Sequence, residues 1–209
     1  MIIAVDGPAA SGKGTISKAL AQHYGLPHMD TGLLYRAVGV AVLRAGGDPG
    51  NEADAIAAAG FHEALLNDPE LRSAEAGQAA SKASVHPEVR AALLKRQQDF
   101  ARQMGGAVLD GRDIGTVISP EADAKLFVIA SARVRAERRV KELGRPATEE
   151  DITSYQIEIE ARDARDMGRA DAPLRPADDA LLLDTSNLTI DAAVQQAIRL
   201  VETRISRQQ

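Results

Sequence analysis

The sequence lacks the residues that mark several classes of protein. None of its 209 residues is cysteine, which excludes disulfides, thiolate metal sites and a cysteine nucleophile, and agrees with a reducing compartment. Tryptophan is also absent and aromatic residues make up 3% of the chain, so the core must be built mainly from Ala, Leu, Val and Ile. No apolar run approaches the roughly 20 residues that a membrane-spanning helix requires.

Positive charge is also in deficit. The chain carries 25 Lys and Arg residues against 30 Asp and Glu, a formal net charge of −5, which disfavours general binding to nucleic acid phosphates. The N-terminus has no basic region before Asp6, so we expect no signal peptide and a cytoplasmic protein. Length and composition fit one ordinary globular domain, and by analogy with other enzymes of this size we expect a monomer.

The apolar pattern predicts an α/β fold. Four runs predict buried strands: Ile2–Val5, Ala107–Leu109, Lys125–Ile129 and Ala180–Leu183; a fifth, Pro27–Met29, is too short to assign alone. Segments with helical spacing lie between and after them: Lys13–Tyr24, Leu33–Leu43, Val89–Gln103, Arg133–Leu143 and Ile190–Ile205. Strands that alternate with helices predict a parallel sheet covered on both faces.

Two segments do not fit that alternation. Gly46–Pro87 is Ala-rich and polar, and we expect short helices and loops outside the main sheet. Arg145–Met167 is strongly charged, with Ile152, Ile157 and Ile159 as its few large aliphatic residues. That is too little apolar area to bury firmly, so we expect a mobile flap.

The stretch "DGPAASGKGT", Asp6–Thr15, follows the first strand and contains the pattern G-x-x-x-x-G-K as Gly7, Gly12 and Lys13. Small residues let successive backbone N–H groups turn toward one anion, and the following helix directs its positive end there. Lys13 could then reach the β- and γ-phosphates of a nucleotide. The alternative is a tight strand–helix turn that matches by chance. Gly14 stands where a Ser or Thr would normally hold Mg²⁺, so direct protein ligands for the metal stay open.

Charged residues follow a later strand as "GRDIG", Gly111–Gly115. This places Arg112 and Asp113 at a strand's carboxyl end, where ligands bind in open parallel sheets. We therefore expect both side chains at the ligand site.

A second set of cations lies further along the chain. Arg162, Arg165 and Arg169 are spaced by three and four, so on a helix they would share one face, beside Asp163 and Asp166. One interpretation is a solvated helix with ordinary ion pairs. The other is phosphoryl transfer, because two anionic reactants need several cations to hold them and to spread the developing charge.

Five stretches together resemble the bacterial cytidylate kinases, nucleoside monophosphate kinases that act on CMP and dCMP. They cover most of the chain, in family order: "IAVDGPAASGKGT", "MDTGLLYRAV", "AASKASVHPEVRAALLKRQQDFA", "LDGRDIGTVISPEADAKLFVIAS" and "RDARDMGRADAPLRPADDALLLDTS". The resemblance implies a P-loop kinase fold with a five-stranded parallel sheet, a monophosphate-binding insertion and a mobile lid. It implies transfer from ATP to CMP or dCMP, with Mg²⁺ held largely through phosphates and water.

The resemblance also implies boundaries. The core would cover about 1–36, 104–140 and 168–209, the insertion about 37–103 and the lid about 141–167. Some relatives carry a longer insertion that includes a small β-sheet, whereas this one is short and has a helical pattern.

Site residues follow from the same match. The ATP phosphates would contact Gly7, Pro8, Ala9, Ala10, Ser11, Gly12, Lys13, Gly14 and Thr15. CMP would contact Thr31, Tyr35, Arg36, Ser81, Arg90, Arg112, Asp113, Arg162 and Asp166. The cations at the transferring group would be Lys13, Arg112, Arg165 and Arg169.

The chemistry of cytosine fits three of these residues. Asp113 can accept from the N4 amino group, while Arg90 and Ser81 can donate to N3 and O2. Uracil would turn a carbonyl toward the carboxylate, which should penalise UMP. Without the family match, Ser81 could be a helix cap and Arg90 part of a surface ion pair.

Rival functions remain to be separated by assay. Another small-molecule P-loop kinase, acting on UMP, AMP or shikimate, would need a different acceptor pocket. A GTPase-like switch would need a guanine-reading N-K-x-D, which the sequence lacks. No catalytic base is required, because the acceptor phosphate is already anionic, so we interpret His23, His28, His62 and His86 as structural or surface residues.

Overall fold

The computed structural model describes residues 1–142, 146 and 148–207. It divides into two compact units. The core unit comprises Met1–Met29 and Ala101–Gln209, and the insert unit comprises Asp30–Phe100. In the part of the chain that is described, no helix is long and apolar enough to cross a membrane.

The elements follow in chain order. The strands are β1 (Ile2–Asp6), β2 (His28–Asp30), β3 (Ala107–Gly111), β4 (Ala124–Ile129) and β5 (Leu181–Asp184). The helices are α1 (Lys13–Tyr24), α2 (Gly32–Arg44), α3 (Glu52–Ala58), α4 (Ala74–Ala83), α5 (Pro87–Ala101), α6 (Ala132–Lys141), α7 (Glu149–Met167) and α8 (Ile190–Ser206). Every strand and helix that the apolar pattern predicted is present, with ends that differ by at most two residues; the predicted end of α6 at Leu143 lies outside the described residues. The prediction that β5 is buried was wrong, because only Leu183 of its four residues is buried and Leu182 is exposed.

The strands form one five-stranded parallel sheet, as predicted. Their order in the sheet is β2-β3-β1-β4-β5. The central strand β1 pairs with β3 and β4, so that Val5 lies opposite Asp110 on one side and Leu126 on the other. Because β3 and β4 pair with its two edges, the backbone of β1 is covered on both sides. Ile3 and Val5 are fully buried. A strand buried in this way reads as a continuous apolar run, which is why β1 could be predicted.

Helices α1 and α8 pack with the sheet in the main core. Leu20 from α1 and Val201 from α8 belong to the same buried cluster as Ile3, Val5 and Leu183. Aliphatic side chains supply this cluster, as the low aromatic content predicts.

The insert unit is helical. Its helix α2 packs against α4, and the two backbones approach so closely that a Cβ at Gly39 would lie 2.6 Å from the Cβ of Ala79. Two short 3₁₀ helices, Glu63–Asn67 and Pro69–Arg72, connect α3 to α4. All residues from 46 to 87 are described and none lies in a strand, which confirms the predicted short helices and loops.

The charged segment expected as a loosely buried flap is one 19-residue helix, α7. Ile152 and Ile159 are buried against Ala136 and Val140 of α6, whereas Ile157 is exposed. The expectation of too little apolar area for firm burial was therefore wrong, because Ile152 and Ile159, seven positions apart, pack with Tyr155 against α6. The predicted start of the flap, Arg145, lies outside the described residues.

Candidate active site

The stretch after β1 has the backbone of a phosphate-binding loop. Gly7 has a φ of 153°, and a Cβ there would lie 2.1 Å from the carbonyl oxygen of Val128 in β4. Gly12 has a φ of 90° at the start of α1, where no side chain caps the helix. Only glycine tolerates both the close approach and the turn, so the two glycines of the motif are required by the geometry.

Side chains from outside the loop hold its carbonyl groups. Arg135 donates to the Ala9 carbonyl (3.2 Å) and Arg138 to the Ser11 carbonyl (3.3 Å). The hydroxyl of Thr185, which follows β5, donates to the same Ser11 carbonyl (2.9 Å). The loop is thus fixed by donors from two neighbouring elements.

This bracing sets the direction of the loop's N–H groups. In a trans peptide the carbonyl of one residue and the N–H of the next point in opposite directions. With the carbonyls of Ala9 and Ser11 turned toward Arg135 and Arg138, the N–H groups of Ala10 and Gly12 point away from them. The arrangement therefore supplies donors to an anion beside the loop.

Two side chains of the loop support that interpretation. The hydroxyl oxygen of Ser11 is fully buried without a hydrogen-bond partner among the described residues. The Nζ atom of Lys13 lies 3.4 Å from the Pro8 carbonyl, folded back over the loop. A buried polar atom without a protein partner is expected where a ligand belongs.

Asp110, at the end of β3, lies beside the loop. One carboxylate oxygen is 2.7 Å from the Nε2 atom of His28, and the other is 3.9 Å from the position that a Cβ would take at Gly14. Asp110 is 2% exposed.

Within the described ranges, no three His, Asp or Glu side chains form a group that could hold a metal ion. The Asp110 carboxylate could orient a water of Mg²⁺, which keeps several waters when it binds substrate phosphates.

Asp6, the last residue of β1, anchors the segment that carries Arg112 and Asp113. Its two carboxylate oxygens accept hydrogen bonds of 2.8 Å from the backbone N–H groups of Ile114 and Gly115. Burial raises the pKa of Asp6 to about 7, although both hydrogen bonds act in the opposite direction. The side chain thereby fixes the turn Ile114–Ile118 that follows Asp113.

A buried carboxylate organises the later arginines. The Nε atom of Arg112 lies 2.8 Å from Asp166, whose other oxygen accepts a hydrogen bond from Arg169. Burial raises the pKa of Asp166, but the charges of Arg112, Arg169 and Arg162 together lower it below its ordinary value. These side chains form a cationic cluster around one anion.

The expectation that Arg162, Arg165 and Arg169 share one face of a helix was wrong. Helix α7 ends at Met167 and Gly168 is its C-cap, so Arg169 lies beyond the helix. Its guanidinium group still pairs with the carboxylate of Asp166. Arg165 is exposed. The solvated-helix interpretation is wrong as well, because Asp163 and Asp166 are buried and pair with side chains from other elements.

Several predicted residues lie within the insert unit, and two of them, Tyr35 and Arg90, are in contact. The guanidinium of Arg90 lies over the ring of Tyr35, 5.8 Å from its centre. Because Arg90 is buried, the interpretation of Arg90 as part of a surface ion pair is wrong. Ser81 is buried in the interior of α4, whose N-cap is Ser73, so the helix-cap interpretation is wrong too. Thr31 is buried at the start of α2 and its side chain does not cap that helix.

Arg36 is held within the same unit. Its NH1 atom donates to the carbonyls of Leu71 (2.7 Å) and Ser73 (3.1 Å). These bonds fix the guanidinium against the start of α4.

Sequence reasoning missed the residues that support the site from behind: Asp6, Asp110, Arg135, Arg138, Asp163 and Thr185. A signal existed for Asp6 and Asp110, since each lies at the carboxyl end of a predicted strand, whereas Asp163 was noted only as a neighbour of the arginines. His28 was interpreted as structural, and its contact with Asp110 agrees with that.

Comparison with known proteins identifies the family. A family model described as cytidylate kinase matches residues 3–203. The chain is 57% identical to a cytidylate kinase of Cereibacter sphaeroides (97% of this chain, 95% of that protein) and 57% identical to one of Xanthobacter autotrophicus (98% of each). A Caulobacter cytidylate kinase is 54% identical over 99% of this chain and 96% of its own.

Solved structures support the fold alone. An uncharacterized protein from Eubacterium ventriosum superimposes with a TM-score of 0.56 at 15% identity, over 97% of this chain and 98% of that one. A Thermus thermophilus protein gives 0.50 at 20% identity, over 98% and 97%. The family model and the sequence matches show that the chain belongs to the cytidylate kinase family.

Proposed function

We propose that this chain transfers the γ-phosphoryl group of ATP to CMP, forming ADP and CDP, and that it also accepts dCMP. One observation supports this beyond family membership. The core unit combines a braced phosphate loop with a buried cluster of Arg112, Asp166 and Arg169. Phosphoryl transfer requires this combination of backbone donors and fixed cations.

ATP would bind with its phosphates along Gly7–Thr15. The N–H groups of Ala10 and Gly12 would donate to phosphate oxygens, together with the first N–H groups of α1. Lys13 would turn from Pro8 to the β- and γ-phosphates and offset the charge that develops there.

Mg²⁺ would be held mainly by phosphate oxygens and water, and it would supply charge neutralisation of the transferring group. Asp110 is the carboxylate positioned to orient such waters, because it lies beside Gly14. The His28 ring would keep that carboxylate in place.

CMP would be recognised by charge and by its donor–acceptor pattern. Arg36 and Arg112 would bind the acceptor phosphate, and Arg162 and Asp166 the ribose. The cytosine would meet Ser81, Arg90 and Asp113, with Thr31 and Tyr35 lining the same site.

Arg165 and Arg169 would neutralise the transferring group together with Lys13. The acceptor phosphate is the nucleophile, so positioning and charge carry the reaction without a base.

We also propose the division that the family resemblance implies. Residues 141–167 would act as a lid that excludes water, and residues 37–103 would form the monophosphate-binding insertion. The protein would work as a monomer on free nucleotides without nucleic acid.

A substrate panel tests the proposal. ADP release from ATP and Mg²⁺ is followed with CMP, dCMP, UMP and AMP as acceptors, and without acceptor as a control. We expect the highest kcat/KM with CMP or dCMP. A preference for AMP, or equal ADP release without any acceptor, would contradict the proposal.

A further inference from the structure

One arginine contacts three separate parts of the core unit. Arg135 of α6 is buried, with 5% exposure. Its Nε atom donates to the Ala130 carbonyl (2.9 Å), NH1 to the Ala9 carbonyl (3.2 Å) and NH2 to the carboxylate of Asp163 (2.6 Å). A guanidinium is a rigid planar fork, so its three bonds fix the contacting groups relative to one another.

The Asp163 end of this contact lies in the part of α7 that carries proposed substrate ligands. Asp163 precedes Asp166 by three residues, so the two side chains stand on neighbouring turns of one helix. Arg162 is adjacent. A displacement of α7 at Asp163 therefore changes where Arg162 and Asp166 stand.

Asp163 depends on Arg135 for its counter-charge. One of its oxygens is bound by Arg135, and the other is buried without a hydrogen-bond partner among the described residues. Separating such a buried pair leaves an uncompensated charge, which is strongly unfavourable. The link between α6 and α7 at this point is consequently stiff.

The Ala9 end lies in the phosphate loop itself. The bond from NH1 orients the peptide between Ala9 and Ala10, whose N–H group we assign to an ATP phosphate. Binding of phosphate at that N–H and the position of α7 are thus connected through one side chain.

We infer that Arg135 is a positioning residue that couples ATP binding at the phosphate loop to CMP binding by α7. The inference rests on the proposed function. Each nucleotide then tightens the binding of the other, since either one stabilises the arrangement that both require.

The test measures this coupling directly by calorimetry. The Kd of CMP is determined alone and with saturating Mg²⁺ and adenylyl imidodiphosphate, an ATP analogue that is not hydrolysed. For the wild-type protein we expect the analogue to tighten CMP binding by about fivefold or more. In Asp163→Asn, which keeps the shape but removes the charge, we expect less than about a twofold effect, while the Kd of each ligand alone changes by less than about threefold.

The matched control is Glu149→Gln. Glu149 pairs with Arg133 at 3.0 Å, so it also connects α7 to α6, but both side chains are exposed and this pair does not contact the phosphate loop. The control should keep the wild-type coupling, and Arg135→Lys should lose it. Absence of coupling in the wild-type protein, or full coupling in Asp163→Asn, would overturn the inference.

A second measurement needs no variant. Hydrogen exchange of the wild-type amides between Asp163 and Asp166 should slow when adenylyl imidodiphosphate binds alone. Unchanged exchange there would also overturn the inference. A protein that turns over CMP without coupling contradicts the role of Arg135 only, whereas one that fails to turn over CMP contradicts the proposed function.

Discussion

The Nε atom of Arg112 donates a hydrogen bond of 2.8 Å to the carboxylate of Asp166. Arg112 follows β3 and Asp166 lies near the end of α7, 54 residues later. The carboxylate also binds Arg169 and is almost fully buried. One anion thus keeps two guanidinium groups together at low exposure, where their charge is screened little by solvent.

Asp166→Asn should destabilise the protein and weaken CMP binding. The amide keeps the volume but leaves Arg112 and Arg169 without the buried negative charge, which should lower the free energy of unfolding by about 3–5 kcal/mol. Urea denaturation measures this, and the KM for CMP should rise in parallel. Glu149→Gln, which breaks an exposed pair, serves as the control and should leave the urea midpoint unchanged. Equal effects of the two substitutions would argue against the buried cluster.

Lys13→Ala should lower kcat by about 10²- to 10³-fold, because it removes a fixed charge from the transition state. The measurement is steady-state ADP release with CMP as acceptor. Lys18→Ala is the control, since Lys18 is an exposed lysine of the same helix α1 and should retain wild-type activity. Matching losses in both variants would refute the assigned role of Lys13.

Asp113→Asn should reduce the preference for CMP over UMP. The carboxylate accepts from the cytosine amino group in the proposed pocket, whereas an asparagine can donate to the uracil carbonyl. We expect the ratio of kcat/KM values for CMP and UMP to fall by about tenfold or more. The exposed Asp178→Asn variant should keep the wild-type ratio. An unaltered ratio in the Asp113 variant would remove Asp113 from the cytosine site.

Asp6 should make stability depend on pH. Burial raises the pKa of Asp6 to about 7, so between about pH 4 and pH 7 the folded protein holds a proton that the unfolded chain has released. Lowering the pH from about 8 to about 4 should therefore stabilise the folded state through this group, by up to about 4 kcal/mol. Asp6→Asn cannot titrate there. The measurement is the difference in unfolding free energy between wild type and variant across that range. A difference that does not change with pH would contradict the raised pKa.

Elements with strong local patterns could be predicted from the sequence. Strands β1, β3 and β4 are buried apolar runs, and the phosphate loop carries its glycines where backbone geometry requires them. Strand β2 was not assigned alone because it has three residues, all of them half-buried. Whether so short a segment forms a strand depends on its packing against neighbouring strands more than on its own sequence.

The supporting residues of the site could not be predicted, because their partners are distant in sequence. Asp6 binds backbone groups 108 and 109 residues away, and Arg135 pairs with Asp163 across 28 residues. Arg135 and Asp163 lie in segments whose charges are typical of a solvated surface, and periodicity does not distinguish a buried charge from an exposed one. Arg169 shows the converse, since its spacing fits a helix that Gly168 has already ended.

A crystal structure with Mg²⁺ and a pentaphosphate that joins adenosine to cytidine tests most directly whether the loop and the arginines bind one phosphate chain. We expect N–H groups of Gly7–Thr15 to donate to the adenosine end of the phosphate chain, and Lys13, Arg112, Arg165 and Arg169 to contact its middle. Guanidinium groups that extend into bulk solvent while both nucleosides are bound would show that these arginines do not stabilise the transferring phosphoryl group.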